Sequence, residues 1–135
     1  MTTNAERAVI LERALRARVE GDRRAAEDLY TDDVKAWTPA FSTSSRAELL
    51  AEFDRTDDAF SDVSVDITPL DVGGDFACAE WTVTMASRDA DARRAVVHGI
   101  TIAEFLGDRI CSLRQYWDEV AVVELLGADQ PEARD

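Results

Sequence analysis

The stretch from Arg94 to Trp117 reads R-A-V-V-H-G-I-T-I-A-E-F-L-G-D-R-I-C-S-L-R-Q-Y-W. β-Branched and aromatic residues dominate both of its halves, and Gly107-Asp108 separates them with a pair of residues that favours a tight turn. The pattern predicts two long antiparallel strands, Arg94–Phe105 and Arg109–Trp117, joined by a hairpin. A sheet built on this hairpin is therefore expected to form the C-terminal half of the domain.

Helices are predicted ahead of these strands. The strings T-N-A-E at Thr3–Glu6 and S-R-A-E at Ser45–Glu48 have the form of capping boxes, which begin helices. Gly21 ends the first helix, and Asp22 can cap a short second one. The run V-K-A-W-T-P, Val34–Pro39, predicts a short strand that stops at the proline.

The remaining strands show the two-residue period of half-buried β-structure. Val63, Val65 and Ile67 alternate with polar residues, and Phe76–Ala86 is rich in aromatic and β-branched residues. Helices followed by an antiparallel meander are typical of the α+β class. A curved sheet wrapped around the helices forms a cone, whose open mouth is a natural small-molecule pocket. Asp89–Ala92 is predicted to be a polar loop.

Length and charge limit the possible functions. The 135 residues, with 46% hydrophobic content and a net charge of -13, fit one soluble domain over residues 1–127 and a flexible tail over 128–135. The negative charge repels phosphate groups, so neither nucleic acid nor an anionic membrane is expected as a partner. The sequence shows neither an apolar leader nor a run of membrane-spanning length, which predicts a cytoplasmic protein.

The cysteines and the histidine give no sign of a metal site. Cys78 and Cys111 both lie in apolar, strand-like runs and are expected to be reduced. A CxxC motif and a second histidine are both missing, so neither a metal nor another cofactor is predicted. His98 is the only histidine in the chain.

The order of elements and three local strings resemble the NTF2-like superfamily, and within it the SnoaL-like proteins. The strings are G-D-R-R-A-A-E-D-L-Y-T-D-D-V from Gly21, A-E-F-L-G-D-R-I from Ala103, and Y-W-D from Tyr116 followed by V-E-L-L-G. The resemblance covers residues 5–127 and implies an NTF2-like α+β cone that is commonly a homodimer. The superfamily includes ketosteroid isomerases, epoxide hydrolases, scytalone dehydratases and polyketide cyclases, so the fold does not select a reaction.

Side-chain alternation assigns the strand residues to two faces of the sheet. The resemblance places the odd-numbered residues of Arg94–Phe105 inside the cone, which leaves Val96, Ile100 and Ile102 as an outer apolar stripe suited to dimerisation. The predicted pocket wall consists of Trp37, Thr38, Trp81, Val83, Met85, Thr101, Phe105, Leu113, Gln115 and Trp117. Such a wall suits a flat or polycyclic hydrophobic ligand. The alternative is that these aromatic residues only fill the core, although a buried indole N–H needs a partner.

Two of the reactions known in the superfamily lack their residues. A ketosteroid isomerase needs a carboxylate base, a tyrosine and a protonated aspartic acid. The resemblance places these positions at Thr38, near Ala14 and at Thr101, and none carries the required group. A limonene-type epoxide hydrolase uses an arginine between two aspartates, but Gln115 and Trp81 stand at two of the positions concerned.

Three residues remain as catalytic candidates. His98 is expected on the outer face and enters the pocket only if a β-bulge reverses the alternation. Asp118 follows the inward Trp117 and is either a proton-transferring base at the rim or the N-cap of a last helix that Gly127 closes. Gln115 cannot carry a proton but can orient a water or a carbonyl.

The sequence therefore predicts a SnoaL-like enzyme that acts on a hydrophobic small molecule by cyclisation or isomerisation. SnoaL-like cyclases use an acid/base aspartate for intramolecular aldol ring closure, and Asp118 is the residue that the resemblance offers for that role. A ring closure driven mainly by the shape of the pocket also fits this wall. The alternative function is a non-catalytic ligand-binding or assembly protein that lacks the acid and base residues of the family.

Overall fold

The computed structural model describes residues 3–70, 74–88 and 94–118, and these ranges contain three helices and six strands. The elements are α1 (Asn4–Glu20), α2 (Arg23–Leu29), β1 (Tyr30–Trp37), β2 (Ser42–Thr43), α3 (Arg46–Ala59), β3 (Phe60–Leu70), β4 (Phe76–Ser87), β5 (Arg94–Leu106) and β6 (Arg109–Trp117). The predicted last helix, the C-terminal tail and the loop Asp89–Ala92 lie outside the described residues.

The helices begin and end where the capping residues predict. The Thr3 hydroxyl accepts a hydrogen bond from the Glu6 N–H at 3.1 Å, and Gly21 ends α1 with a φ of 72°, which glycine adopts without strain. The Asp22 carboxylate accepts from the Ala25 N–H and so begins α2. The Ser45 hydroxyl likewise accepts from the backbone of the third residue after it and begins α3.

The six strands form one sheet in the order β2-β1-β6-β5-β4-β3. From β3 to β6 the strands pair antiparallel with their neighbours, as the meander pattern predicts. β1 instead pairs parallel to β6, with Tyr30 opposite Ile110 and Trp37 opposite Arg114. This strand begins at Tyr30 rather than at Val34, because the tyrosine is already paired to β6 and buried.

The helices cover one face of the sheet, called the inner face below. α1 packs against β3 and β4, and α3 packs against β1. On β5 the odd-numbered Val97, Thr101 and Ala103 are buried, whereas Val96 on the opposite, outer face is 52% exposed. The alternation predicted for this strand is therefore confirmed. In the described part of the chain, no helix combines the length and apolarity needed to cross a membrane.

Candidate active site

Two rows of side chains run side by side across the inner face of β4, β5 and β6. Trp81, Gly99 and Trp117 lie opposite one another in the first row. In the second row, Thr101 of β5 stands opposite Gln115 of β6. These five residues are called the inner wall below. Because directly opposed residues on neighbouring strands lie in contact distance, the wall brings together two indoles, a hydroxyl and an amide.

Trp81 is held in this wall by a hydrogen bond, and its ring fits there because residue 99 has no side chain. Its indole Nε1–H donates a hydrogen bond to Thr101 Oγ1 at 2.8 Å, and both side chains are buried. A Cβ on Gly99 would lie 2.3 Å from Cζ2 of the Trp81 ring, closer than atoms can approach. Glycine at this position therefore leaves the space that the indole occupies. The Trp117 ring follows with its centroid 6.4 Å away and a tilt of 55°.

The side chains of the inner wall and its neighbours divide into buried and partly exposed groups. Leu113 beside the wall and Thr101 within it are almost completely buried, so neither offers surface to a ligand. Four partly exposed residues pack against the core, namely Val83, Met85, Phe105 and Trp117, and Gln115 is also partly exposed. A ligand on the inner face would therefore meet the partly exposed group rather than Thr101 or Leu113, which corrects their expected role as contact residues.

Polar chemistry at the wall comes from Gln115 and from the end of β6. Within residues 3–70, 74–88 and 94–118, the Gln115 amide makes no side-chain hydrogen bond, which leaves both its N–H and C=O groups for a ligand. Asp118 is the next residue after Trp117 and is exposed at the end of β6. The side chains of the inner wall itself are all neutral. The ionisable residue that directly follows the wall in the chain is Asp118.

The placement of Trp37 has to be corrected. Trp37 is 43% exposed and lies on the outer face, where its ring packs against Tyr116 with a centroid distance of 5.1 Å. Its neighbour Ala36 is buried and stands opposite Leu113 on the inner face. Because alternate residues of a strand point to opposite faces, Trp37 and Thr38 cannot both face inward. The alternation of the strand already contained this signal.

Thr38 faces inward, and its side chain makes hydrogen bonds to the backbone of a turn. Its hydroxyl accepts hydrogen bonds from the backbone N–H groups of Ala40 and Phe41, both at 3.0 Å. The side chain is 4% exposed. Thr38 therefore stabilises the turn between β1 and β2, and its expected contact with substrate is replaced by these backbone contacts.

His98 lies on the outer face, away from the inner wall. Its Nδ1 is 3.0 Å from Oγ1 of Thr82, a residue of the outer face of β4. β4 and β5 pair without interruption from Phe76 opposite Glu104 to Ala86 opposite Arg94, so the bulge needed to turn His98 inward is absent from this pair of strands. His98 is consequently removed from the catalytic candidates.

A buried tyrosine lies at the other end of the core. Tyr30 is 2% exposed, and its ring packs against Phe53 at a centroid distance of 6.5 Å. Burial raises the pKa of its phenol to about 12, and the positive charge of Arg18 opposes this shift. The Arg18 guanidinium lies 4.5 Å from the centroid of the Phe53 ring. Tyr30 therefore remains a neutral hydroxyl throughout the physiological pH range.

Helices on the inner face of a six-stranded curved sheet define an NTF2-like α+β cone, and comparison with solved structures agrees. A protein from Jannaschia, provisionally assigned as a SnoaL-like polyketide cyclase, has a TM-score of 0.84 at 14% identity over 96% of this chain and 97% of its own. TsrD from Streptomyces laurentii has a TM-score of 0.79 at 22% identity over 96% and 100%. An NTF2-like protein from Burkholderia xenovorans has a TM-score of 0.77 at 15% identity over 93% and 99%.

The family follows from the sequence itself. The model of the SnoaL-like domain family matches residues 11–113, and the chain therefore belongs to that family. No match was found among curated protein sequences. At these low identities the similarity to the solved structures shows the fold alone, and the reaction has to be argued from the residues of the site.

Proposed function

We propose that this protein is a SnoaL-like enzyme that cyclises or isomerises a flat or polycyclic hydrophobic molecule. The observation that supports it most directly is the row Trp81–Gly99–Trp117, which places two indoles beside the amide of Gln115. Apolar surface with a few convergent polar groups is the usual composition of a small-molecule site. The family to which the chain belongs, and a fold neighbour provisionally assigned as a polyketide cyclase, support the same class of reaction.

An intramolecular aldol closure can be written with the residues at hand. The Asp118 carboxylate removes a proton from the carbon next to a ketone, and the electron pair moves onto the ketone oxygen as an enolate. The Gln115 N–H donates a hydrogen bond to that oxygen and stabilises its charge. The enolate carbon then attacks a second carbonyl of the same molecule and forms the new C–C bond. The resulting alkoxide takes the proton back from Asp118.

Binding is tested with prodan, a fluorescent naphthyl ketone that combines a flat fused ring with a carbonyl. We expect saturable binding to the wild type and at least tenfold weaker binding to Trp117→Ala, since a lost aromatic contact of about 1.4 kcal/mol corresponds to tenfold in affinity. Trp37→Ala is the matched control, because it removes an indole from the outer face. Equal effects of the two substitutions on the dissociation constant would argue against a site on the inner wall.

A non-catalytic ligand-binding protein is the second candidate. The neutral side chains of the inner wall favour it, because they supply binding without a group that can move a proton. Prodan binding without turnover of any open-chain polyketone would support this candidate over the enzyme.

A cytoplasmic location is part of both proposals. In that compartment the free thiols of Cys78 and Cys111 stay reduced. Burial raises the pKa of each thiol, which keeps them protonated and poorly reactive.

The proposal includes a homodimer that forms through the outer face of the sheet. Val96 is 52% exposed, and Ile100 and Ile102 on the same face are partly exposed. A patch of this kind can pair with its own copy across a two-fold axis. Sedimentation analysis is expected to show a dimer for the wild type and a monomer for Val96→Asp, which introduces a charge into the apolar stripe. Val9→Asp, the same substitution at a 59% exposed valine of α1, serves as the control and should remain dimeric. A monomeric wild type would contradict this arrangement.

A further inference from the structure

Gly99 is the centre of the row that carries both tryptophans of the inner wall. It stands opposite Trp81 on one side and opposite Trp117 on the other. The atoms Cζ2 and Cη2 of Trp81 lie 2.3 and 2.4 Å from the place where a Cβ of residue 99 would be. The benzene edge of the indole therefore fills the volume that a side chain on β5 would take.

The indole nitrogen lies further along the same edge of the Trp81 ring, and its N–H donates a hydrogen bond to the Thr101 hydroxyl. Because Thr101 lies two residues beyond Gly99 on the same face, the Trp81 ring edge extends along β5 from one residue to the other. Gly99 leaves room for the ring in this position, and the buried hydrogen bond to Thr101 holds it there. A rotated indole would lose its acceptor in a buried environment.

We propose that Gly99 and Thr101 are positioning residues that hold Trp81 against β5 and thereby fix Trp117 beside Gln115 for ligand binding. This inference rests on the proposed function, because it specifies the ligand of the same wall. Gln115 and Trp117 share a face two residues apart, which sets their spacing at about 7 Å. The wall is selective for a fused-ring molecule whose ring stacks on Trp117 while an oxygen at about that distance reaches the Gln115 amide.

The proposal is tested with Thr101→Val, Thr101→Ser and the outer-face control Thr68→Val. Valine has the shape of threonine without the hydroxyl, whereas serine keeps the hydroxyl. Without ligand, Thr101→Val is expected to shift tryptophan emission to longer wavelength and to weaken the near-ultraviolet circular dichroism of the indoles. Prodan binding should weaken roughly five- to tenfold, the equivalent of one net hydrogen bond. Thr101→Ser and Thr68→Val should stay within about twofold of the wild type in the same binding assay.

The tryptophan spectra and the prodan affinity test this inference and the proposed function separately. Wild-type spectra and affinity in Thr101→Val would overturn the positioning role. A spectral change with unchanged prodan affinity would overturn the link between Trp81 and ligand selection. If prodan binds to no variant, including the wild type, while the Thr101→Val spectrum still changes, the proposed ligand site fails and the fixation of Trp81 stands. Gly99→Ala should produce the same spectral change as Thr101→Val. If Gly99→Ala does not fold, the result for Thr101→Val alone tests the positioning role.

Discussion

Replacing Asp118 by asparagine is expected to reduce turnover at least ~100-fold while leaving prodan affinity unchanged, because positioned acid–base groups contribute roughly 10²- to 10⁴-fold. The amide has nearly the shape of the carboxylate but cannot take up a proton. Asp118 follows Trp117 directly at the end of β6, beside a wall whose own side chains are neutral. The whole proton transfer of the proposed aldol step therefore depends on this residue.

The substitution also separates catalysis from a structural role of Asp118. Asparagine caps a helix about as well as aspartate, whereas alanine lowers stability by about 1 kcal/mol when it replaces a capping residue. A catalytic Asp118 therefore predicts low turnover in both Asp118→Asn and Asp118→Ala. A purely capping Asp118 predicts normal turnover in the asparagine variant and reduced stability in the alanine variant alone.

Turnover is measured by reversed-phase chromatography, which separates an open-chain aromatic polyketone from its ring-closed isomer of the same mass. Asp66→Asn is the matched control, since Asp66 is exposed on β3 and faces away from the inner wall. Its turnover should equal that of the wild type. Unchanged turnover in Asp118→Asn would rule out the proton-transfer role and leave a ring closure that depends on the shape of the wall.

Those parts of the fold that depend on neighbouring residues could be predicted from the sequence. The capping residues Thr3, Asp22 and Ser45 each act within three positions along the chain, so their strings identify the helix starts. The hairpin at Gly107 has the positive φ, 65°, that its glycine predicts. On β5 the period of two divides the residues between two faces without knowledge of any partner strand, and the resemblance to the family indicated which face is the inner one.

Features set by pairing between distant segments were harder to predict. The parallel contact of β1 with β6 has a register shift between Tyr30 and Lys35, and no local pattern announces it. The role of Gly99 also depends on which residues stand opposite it in the sheet. The requirement that a buried indole finds a partner was predictable, but its acceptor, Thr101, lies 20 residues away in the sequence.

Raising the pH from 10 to 12 is expected to remove about 2 kcal/mol from the free energy of unfolding through Tyr30 alone. Burial raises the pKa of this phenol from 10.0 to about 12 in the folded protein. The stabilisation that comes from a raised pKa is fully present below the pKa of the unfolded state. It is lost as the pH rises from that value through the pKa of the folded state. Two pKa units are worth about 3 kcal/mol in total, since each unit is worth 1.36 kcal/mol, and about 2 kcal/mol of this is lost between pH 10 and pH 12.

Urea unfolding at a series of alkaline pH values measures this effect in the wild type, Tyr30→Phe and Tyr116→Phe. The chain has two tyrosines, and Tyr116 is 42% exposed on the outer face, so it is the matched control. Tyr30→Phe should lose stability less steeply than the wild type above pH 10, the pKa of a free phenol, because phenylalanine has no proton to release. Tyr116→Phe should keep the wild-type slope. Parallel curves for all three proteins would show that the Tyr30 hydroxyl reaches solvent as a phenolate without unfolding, which is incompatible with its burial beside Phe53 in the core.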